Sequence, residues 1–451
     1  VFRVFCGSIL FAVRQTVMSG AHMAAAGNEL YRDRSRQAEG FIQPDALLHF
    51  VQEDPHAPSP RQRSAMALIR AGATRDLRVD FCRGLALWWI YADHVPGDVL
   101  ADYSLRNFAM CDATEVFVLL AGYGAGLAYG ATMDRQGVLY AAADTLRRAW
   151  TLYIAHIFLF VVYTAQVAYS AQLLDRAFYL EETRLDVLAD NPYRALLEAL
   201  LLNYQPSLLN ILPLYVVLLL FLALALPLLR WPGLLFGLSF GLYGVARVTG
   251  LNLTAWTGEG WFFDPFAWQF LFMIGAILAY APPAELPRPR RLLDALAVVI
   301  LAAGLLVIWV VDTHPRVAAG LPVPVIRFVI TEDKTGLHPF RLLSILALTW
   351  LTVRLVPAHA DWLRSRLAAP LILIGQNSLP VFCSGIFFGF IARLGLESDD
   401  TAPMQIAVNL FGFMAMVMVG ALAAWYRAKG RTTPARPRTT ALPGAVRTDT
   451  G

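Results

Sequence analysis

Lysine is almost missing from this chain. Of its 37 basic residues only Lys334 and Lys429 are lysine, an arginine bias that reads as a GC-rich bacterial genome. Charge of either sign is scarce as well: 16% of the 451 residues are charged and the net charge is +4. So small an excess gives no ground for nucleic acid as a partner, which calls for a concentrated basic surface. Cysteine occurs at Cys6, Cys82, Cys111 and Cys383, and no pair has the close spacing of a metal site or redox motif. Metal ligation is therefore not expected, and the thiols read as small packing residues. No internal repeat or matched pair of broken hydrophobic segments is visible, which argues against a transporter built from inverted repeats.

What the chain has in abundance is apolar surface. Hydrophobic residues make up 57% of it, and the mean hydropathy is +0.53. That is the composition of a polytopic membrane protein, an all-α fold embedded in the lipid bilayer. Hydrophobic stretches fall near 80–97, 113–130, 149–171, 207–229, 233–250, 264–281, 293–311, 339–356, 369–394 and 403–426. About ten transmembrane helices are expected, since each stretch is close to the length that spans a bilayer. Residues 1–74 differ: an apolar run at 4–13 is too short to span, and Asn28–Arg70 mixes charge, Pro and Gln without helical period. They read as a disordered or over-extended leader, with Met18, Met23 and Met66 as candidate starts. The membrane domain is then 75–426, followed by a basic, disordered tail over 427–451.

Loop charge sets the orientation. Arg135, Arg147, Arg148, Arg230, Arg288, Arg290, Arg291, Arg364, Arg366 and the basic tail share one side. The opposite loops, 175–194, 257–264 and 395–402, are mixed or acidic. By the positive-inside rule both termini are cytoplasmic.

Against this apolar background the stretch "RGLALWWIYADHV" (83–95) carries Arg83, Asp93 and His94. Charge in a membrane helix is costly and usually faces a partner or cavity. Eleven residues turn a helix about 20° past three full turns, so Arg83 and His94 share a face roughly 16 Å apart along the axis. Taken singly, Arg83 also reads as an interfacial anchor and His94 as an interfacial histidine. Asp80, three residues before Arg83, is placed to be its neighbour. The next span opens with "CDATEVFVLLAGYGAGLAYG" (111–130). Its Glu115 either holds His94 in one tautomer, as Asp93 is an alternative for doing, or caps the helix. Gly122, Gly124 and Gly126 allow close helix approach. In "RRAWTLYIAHIF" (147–158), Arg147 and Arg148 mark the cytoplasmic mouth, and His156 lies about two turns deeper. The loop "TAWTGEGWFFDPFAWQF" (254–270) reads mostly as an interfacial aromatic belt, in which Trp256 and Trp261 are also candidate platforms for sugar rings.

Arginines at one mouth and a histidine at the other suit a donor with an anionic head, a long thin arm and a reactive end. Acyl-CoA has those parts, and His94 would be the general base for an acceptor hydroxyl. Arg83, Arg147, Arg148 and His156 are the candidate donor-binding residues. The stretches "RDLRVDFCRGLALWWIYADH" and "TEVFVLLAGYGAGLAYG" resemble the OpgC-type succinyltransferases of osmoregulated periplasmic glucan, within the membrane-bound acyltransferase type three group. That group pairs an arginine and a histidine, here Arg83 and His94, in its first membrane helix. The likeness continues through "ILPLYVVLLL", "DPFAWQFLFMIG", "LHPFRLLSILAL" and "IGQNSLPVFCSGIFF", over about 75–425.

The resemblance implies a multi-pass protein of the bacterial inner membrane. It would transfer an acyl group from cytoplasmic succinyl-CoA, or another acyl-CoA, to hydroxyls of periplasmic glucan. His94 would match the catalytic histidine and Arg83 its required arginine. Where the family leads one to expect a basic pair before "SLPVF", this chain has Gln376 and Asn377. Two charges that an anionic acyl group would use are absent there, whereas acetyl would need none. The alternatives are an O-acetyltransferase for another envelope polysaccharide and, in another class, a membrane transporter.

Overall fold

The computed structural model describes residues 75–256, 258–283, 289–313 and 333–431. The expected leader, Cys6, Arg288 and the tail beyond residue 431 lie outside them. Among the described residues the fold is all-helical, with one isolated β-bridge between Thr254 and Gly260. Apolar surroundings leave backbone polar groups no other partner than the helix itself.

The helices are α1 (Leu77–Asp93), α2 (Ala113–Gln136), α3 (Val138–Leu173), α4 (Phe178–Glu182), α5 (Asp186–Asp190), α6 (Pro192–Leu200) and α7 (Ile211–Ala225). They continue with α8 (Pro232–Thr249), α9 (Pro265–Tyr280), α10 (Arg290–Thr313), α11 (Pro339–Leu355), α12 (Ala369–Gln376), α13 (Ser378–Ser398) and α14 (Ala402–Arg431). A helix thus lies on every expected stretch. By length and composition six are able to cross a membrane: α2, α3, the helical run Ile211–Arg230, and the membrane portions of α10, α13 and α14. This is a membrane protein. The start signals are local: Asp76 and Asp112 cap α1 and α2, and Asp264 with Pro265 starts α9.

Glycine decides which helices touch most closely. A Cβ on Gly122 would sit 2.0 Å from the Phe272 carbonyl oxygen, and one on Gly126 2.4 Å from that of Ala276. From the other side, a Cβ on Gly275 would meet the Leu119 carbonyl at 2.2 Å. The pairs advance together along both chains, so α2 and α9 run parallel in backbone contact. Such small-residue seams hold helices together where burial from lipid gains little. α9 is the central helix, with Ala267, Trp268, Leu271, Phe272 and Ala276 fully buried, while α10 is peripheral, only 11% of its apolar window being buried.

One expected element is divided. The stretch 369–394 is two helices, α12 and α13, broken at Asn377, whose backbone leaves the helical region. Asn377 donates its amide to Leu373 O and accepts from Arg427, a residue expected in a disordered tail but lying in α14. α12 crosses α1 at a second glycine contact, Gly84 against Leu371 and Gly375 against Asp80. The break brings the first residues of α13, Ser378 and Leu379, into the interior beside Arg83.

Candidate active site

α1 ends one residue before His94. The His94 backbone N–H bonds the Tyr91 carbonyl at 3.2 Å, three residues back. The Ile90 carbonyl, which a continuing helix would have used, faces the His94 ring Nδ1. A carbonyl only accepts, so Nδ1 carries the proton and Nε2 is left with a free lone pair. Helix termination thus fixes the tautomer. Neither carboxylate expected to do so touches the ring. Asp93 accepts from Ser104 Oγ at 2.7 Å and pairs with Arg106 at 3.3 Å. Glu115 accepts from the Asp112 backbone in a capping box and from Arg341 Nε at 2.7 Å. The capping alternative for Glu115 is the one its contacts satisfy.

Arg341 also reaches Asp112 at 3.1 Å, and Lys334 Nζ lies 2.6 Å from the same carboxylate. Burial alone would push the Asp112 carboxyl up, but Lys334 and Arg341 outweigh it and hold it well below the usual carboxylate range. Two anions and two cations therefore tie the start of α2 to α11 and to the segment before it.

At the other end of α1, Arg83 is not paired with Asp80. Asp80 takes Arg75, at 2.5 and 2.8 Å, and the Gln376 amide at 3.2 Å. Arg83 Nη2 instead donates to Leu120 O at 2.9 Å. Gly124 makes room for it: a Cβ there would lie 3.2 Å from that nitrogen. The GYGAG run thus has two faces, one for α9 and one for a guanidinium.

His94 and Arg83 open into different cavities. One, of about 520 Å³, is lined by His94, Lys334, Tyr204, Trp261 and the loops around α4 and α5. The other, of about 190 Å³, holds Arg83, Arg148, Tyr129, Tyr215 and Ser378. Phe382 lines both. Its ring lies nearly parallel to that of Phe117 at 6.2 Å, and Tyr215 meets Phe117 edge-on at 6.4 Å. Phe382 is the one side chain common to the two linings, an aromatic wall between the two spaces. Among the described residues no carboxylate lines the smaller cavity, and neither of its arginines has an ion pair. Two unpaired guanidinium groups in apolar surroundings are costly and suit an anion.

Across 75–428 the chain matches the family model described as OpgC protein. The chain belongs to the OpgC family. Membership places it among membrane acyltransferases. No curated protein and no solved structure matches the chain.

Within this OpgC chain the other candidate residues fall on either side of a line. Arg148 lines the smaller cavity, whereas its neighbour Arg147 is exposed. His156 is fully buried and lines neither cavity; its ring nitrogens have no partner among the described residues. Trp261 is 4% exposed, lines the larger cavity, and its indole N–H has no partner among the described residues. Trp256 turns away, edge-on to Tyr204 at 5.8 Å with Arg194 over its ring. The aromatic loop is therefore not chiefly a belt: Trp261, Phe263 and Trp268 are buried, and Trp268 donates to the carbonyls of Lys334 and Thr335. Sequence reasoning missed Lys334, Arg341, Tyr215 and Phe382. Lys334 had a signal in its rarity, and Arg341 in being a charge at the start of an apolar span; the two aromatics had none.

Proposed function

We propose that the protein transfers a short acyl group from a cytoplasmic acyl-CoA to a hydroxyl of periplasmic glucan, across the inner membrane. The observation that carries this reading is the shared Phe382 wall. A cation-lined space and the space holding a histidine base adjoin within one helix bundle. The smaller cavity takes the donor arm from the cytoplasmic side, with Arg83 and Arg148 on its anionic groups. The larger cavity takes the glucan, with the Trp261 ring and its indole N–H against a sugar. Movement of Phe382 lets the thioester pass to His94.

There Nε2 removes the proton of the acceptor hydroxyl as its oxygen attacks the thioester carbonyl carbon. The tetrahedral intermediate collapses with cleavage of the C–S bond. The departing sulfur takes the proton from the imidazolium, giving the glucan ester and free CoA. Ile90 O stays on Nδ1–H throughout and keeps the ring aimed. Arg83 acts on the donor, roughly 16 Å from the histidine along the helix.

The test is transfer of label from succinyl-CoA or acetyl-CoA to periplasmic glucan in purified membranes, comparing wild type with His94→Ala at matched expression. Removing a general base should lower the rate about 10²- to 10⁴-fold. Equal transfer by both proteins would remove His94 from the mechanism.

A further inference from the structure

The acyl group leaves the donor arm at the Phe382 wall and points away from the sulfur, so its far end must lie in the larger cavity. The charges lining that cavity are therefore the ones an acyl group meets. They include Glu181, Asp186 and Glu259, which repel an anion, and the cations Arg184 and Lys334. Arg184 lies 3.8 Å from Glu259, with 64% of its side chain exposed. Lys334 is half as exposed, at 29%, and of the four charges joining α2 to α11 it is the one that lines the cavity.

Lys334 is also firmly held. Its carbonyl accepts from the buried Trp268 indole at 3.0 Å, and Thr335 O accepts from Asp264 N at 3.0 Å. Arg247 pairs with Asp333, and Tyr243 donates to Leu337 O at 2.8 Å. α8 and the start of α9 thus fix a six-residue segment that carries one ammonium into the cavity. Asp112 takes one side of that ammonium, and Arg341 would still neutralise Asp112 if a ligand drew Lys334 away.

We infer that Lys334 is the specificity-determining residue for the acyl group, holding the terminal carboxylate of a dicarboxylic acyl chain while the thioester is at His94. The inference rests on the acyl-transfer reading above. It also accounts for the absent basic pair: Gln376 and Asn377 are engaged with Asp80 and Arg427, and line neither cavity. Their neutrality has no bearing on the charge of the acyl group.

The experiment compares succinyl-CoA with butyryl-CoA, equal in carbon number and differing in the terminal carboxylate, in wild type, Lys334→Gln and Lys334→Arg. Thermal stability in detergent is measured in parallel. A lost charge-assisted hydrogen bond should lower kcat/KM for succinyl-CoA roughly 10- to 100-fold in Lys334→Gln. Butyryl transfer should change less than threefold, and Lys334→Arg should recover most of the discrimination. Loss on both donors alike, or an unchanged ratio, overturns the assignment and leaves the transfer reading standing. Wild-type protein that transfers from neither donor overturns the reading and the assignment together.

Discussion

The two cavities share α1, α2, α7 and α13 but are built to opposite designs. The smaller is walled by helix interiors, carries arginine and, among the described residues, no acid, and gains its space from a missing Cβ at Gly124. The larger is walled by loops as well as helix ends, mixes both signs of charge, and holds more than twice the volume. A rigid, one-sign slot suits a single anionic ligand, whereas a wide, mixed and loop-lined space suits a variable carbohydrate surface. What divides them is an aromatic contact, a far weaker barrier than a backbone. On the proposed reading, the difference makes donor and acceptor recognition separable, and each half should fail independently of the other.

The largest expected break of that separation lies in the slot. Arg83→Gln should lower kcat/KM for the acyl-CoA roughly 10- to 100-fold, the cost of a lost hydrogen bond to a charged group, with the glucan KM unchanged. Arg148→Gln should follow it, while the exposed Arg147→Gln should change either parameter less than threefold. Steady-state kinetics with each substrate varied in turn check this. A smaller effect is expected at the wall. Phe382→Leu forfeits a ring pairing of about 0.5–1.5 kcal/mol, or roughly 2- to 10-fold in the balance of closed to open wall. Free acid released from acyl-CoA without acceptor should rise by that factor. The smallest effect on chemistry is expected on the other face of α2. Gly122→Ala forces a Cβ onto the Phe272 carbonyl and should cost about 1–3 kcal/mol of stability. A lowered Tm in detergent with an unchanged donor-to-acceptor preference would sharpen the comparison.

Much of the frame was legible because it is local. Period and length gave a helix on each apolar stretch, and the Arg83–His94 spacing follows from the helical repeat. Both side chains do open into cavities, but into different ones, since Phe382 arrives from a helix nearly 300 residues later. Glu115 shows what local reasoning cannot reach. Its cap is written in its own sequence, yet its cation, Arg341, comes from 226 positions away. Arg83 and Asp80 satisfy the right spacing and still take other partners, because Arg75 and Leu120 O lie nearer to the two groups in space. The break at Asn377 did have a local signal, since Gly375 and Pro380 flank it, but the Arg427 contact that accompanies it comes from a different helix.

On the proposed reading the two cavities are successive stations on one path through the bilayer. Sealed inverted membrane vesicles, loaded with glucan and given labelled acyl-CoA only outside, test it most directly. Label should appear on the enclosed glucan at a rate close to that of opened vesicles, and should fall sharply in both Arg83→Gln and His94→Ala. Transfer that begins only when the vesicles are opened would contradict it, because donor and acceptor would then be meeting on one side.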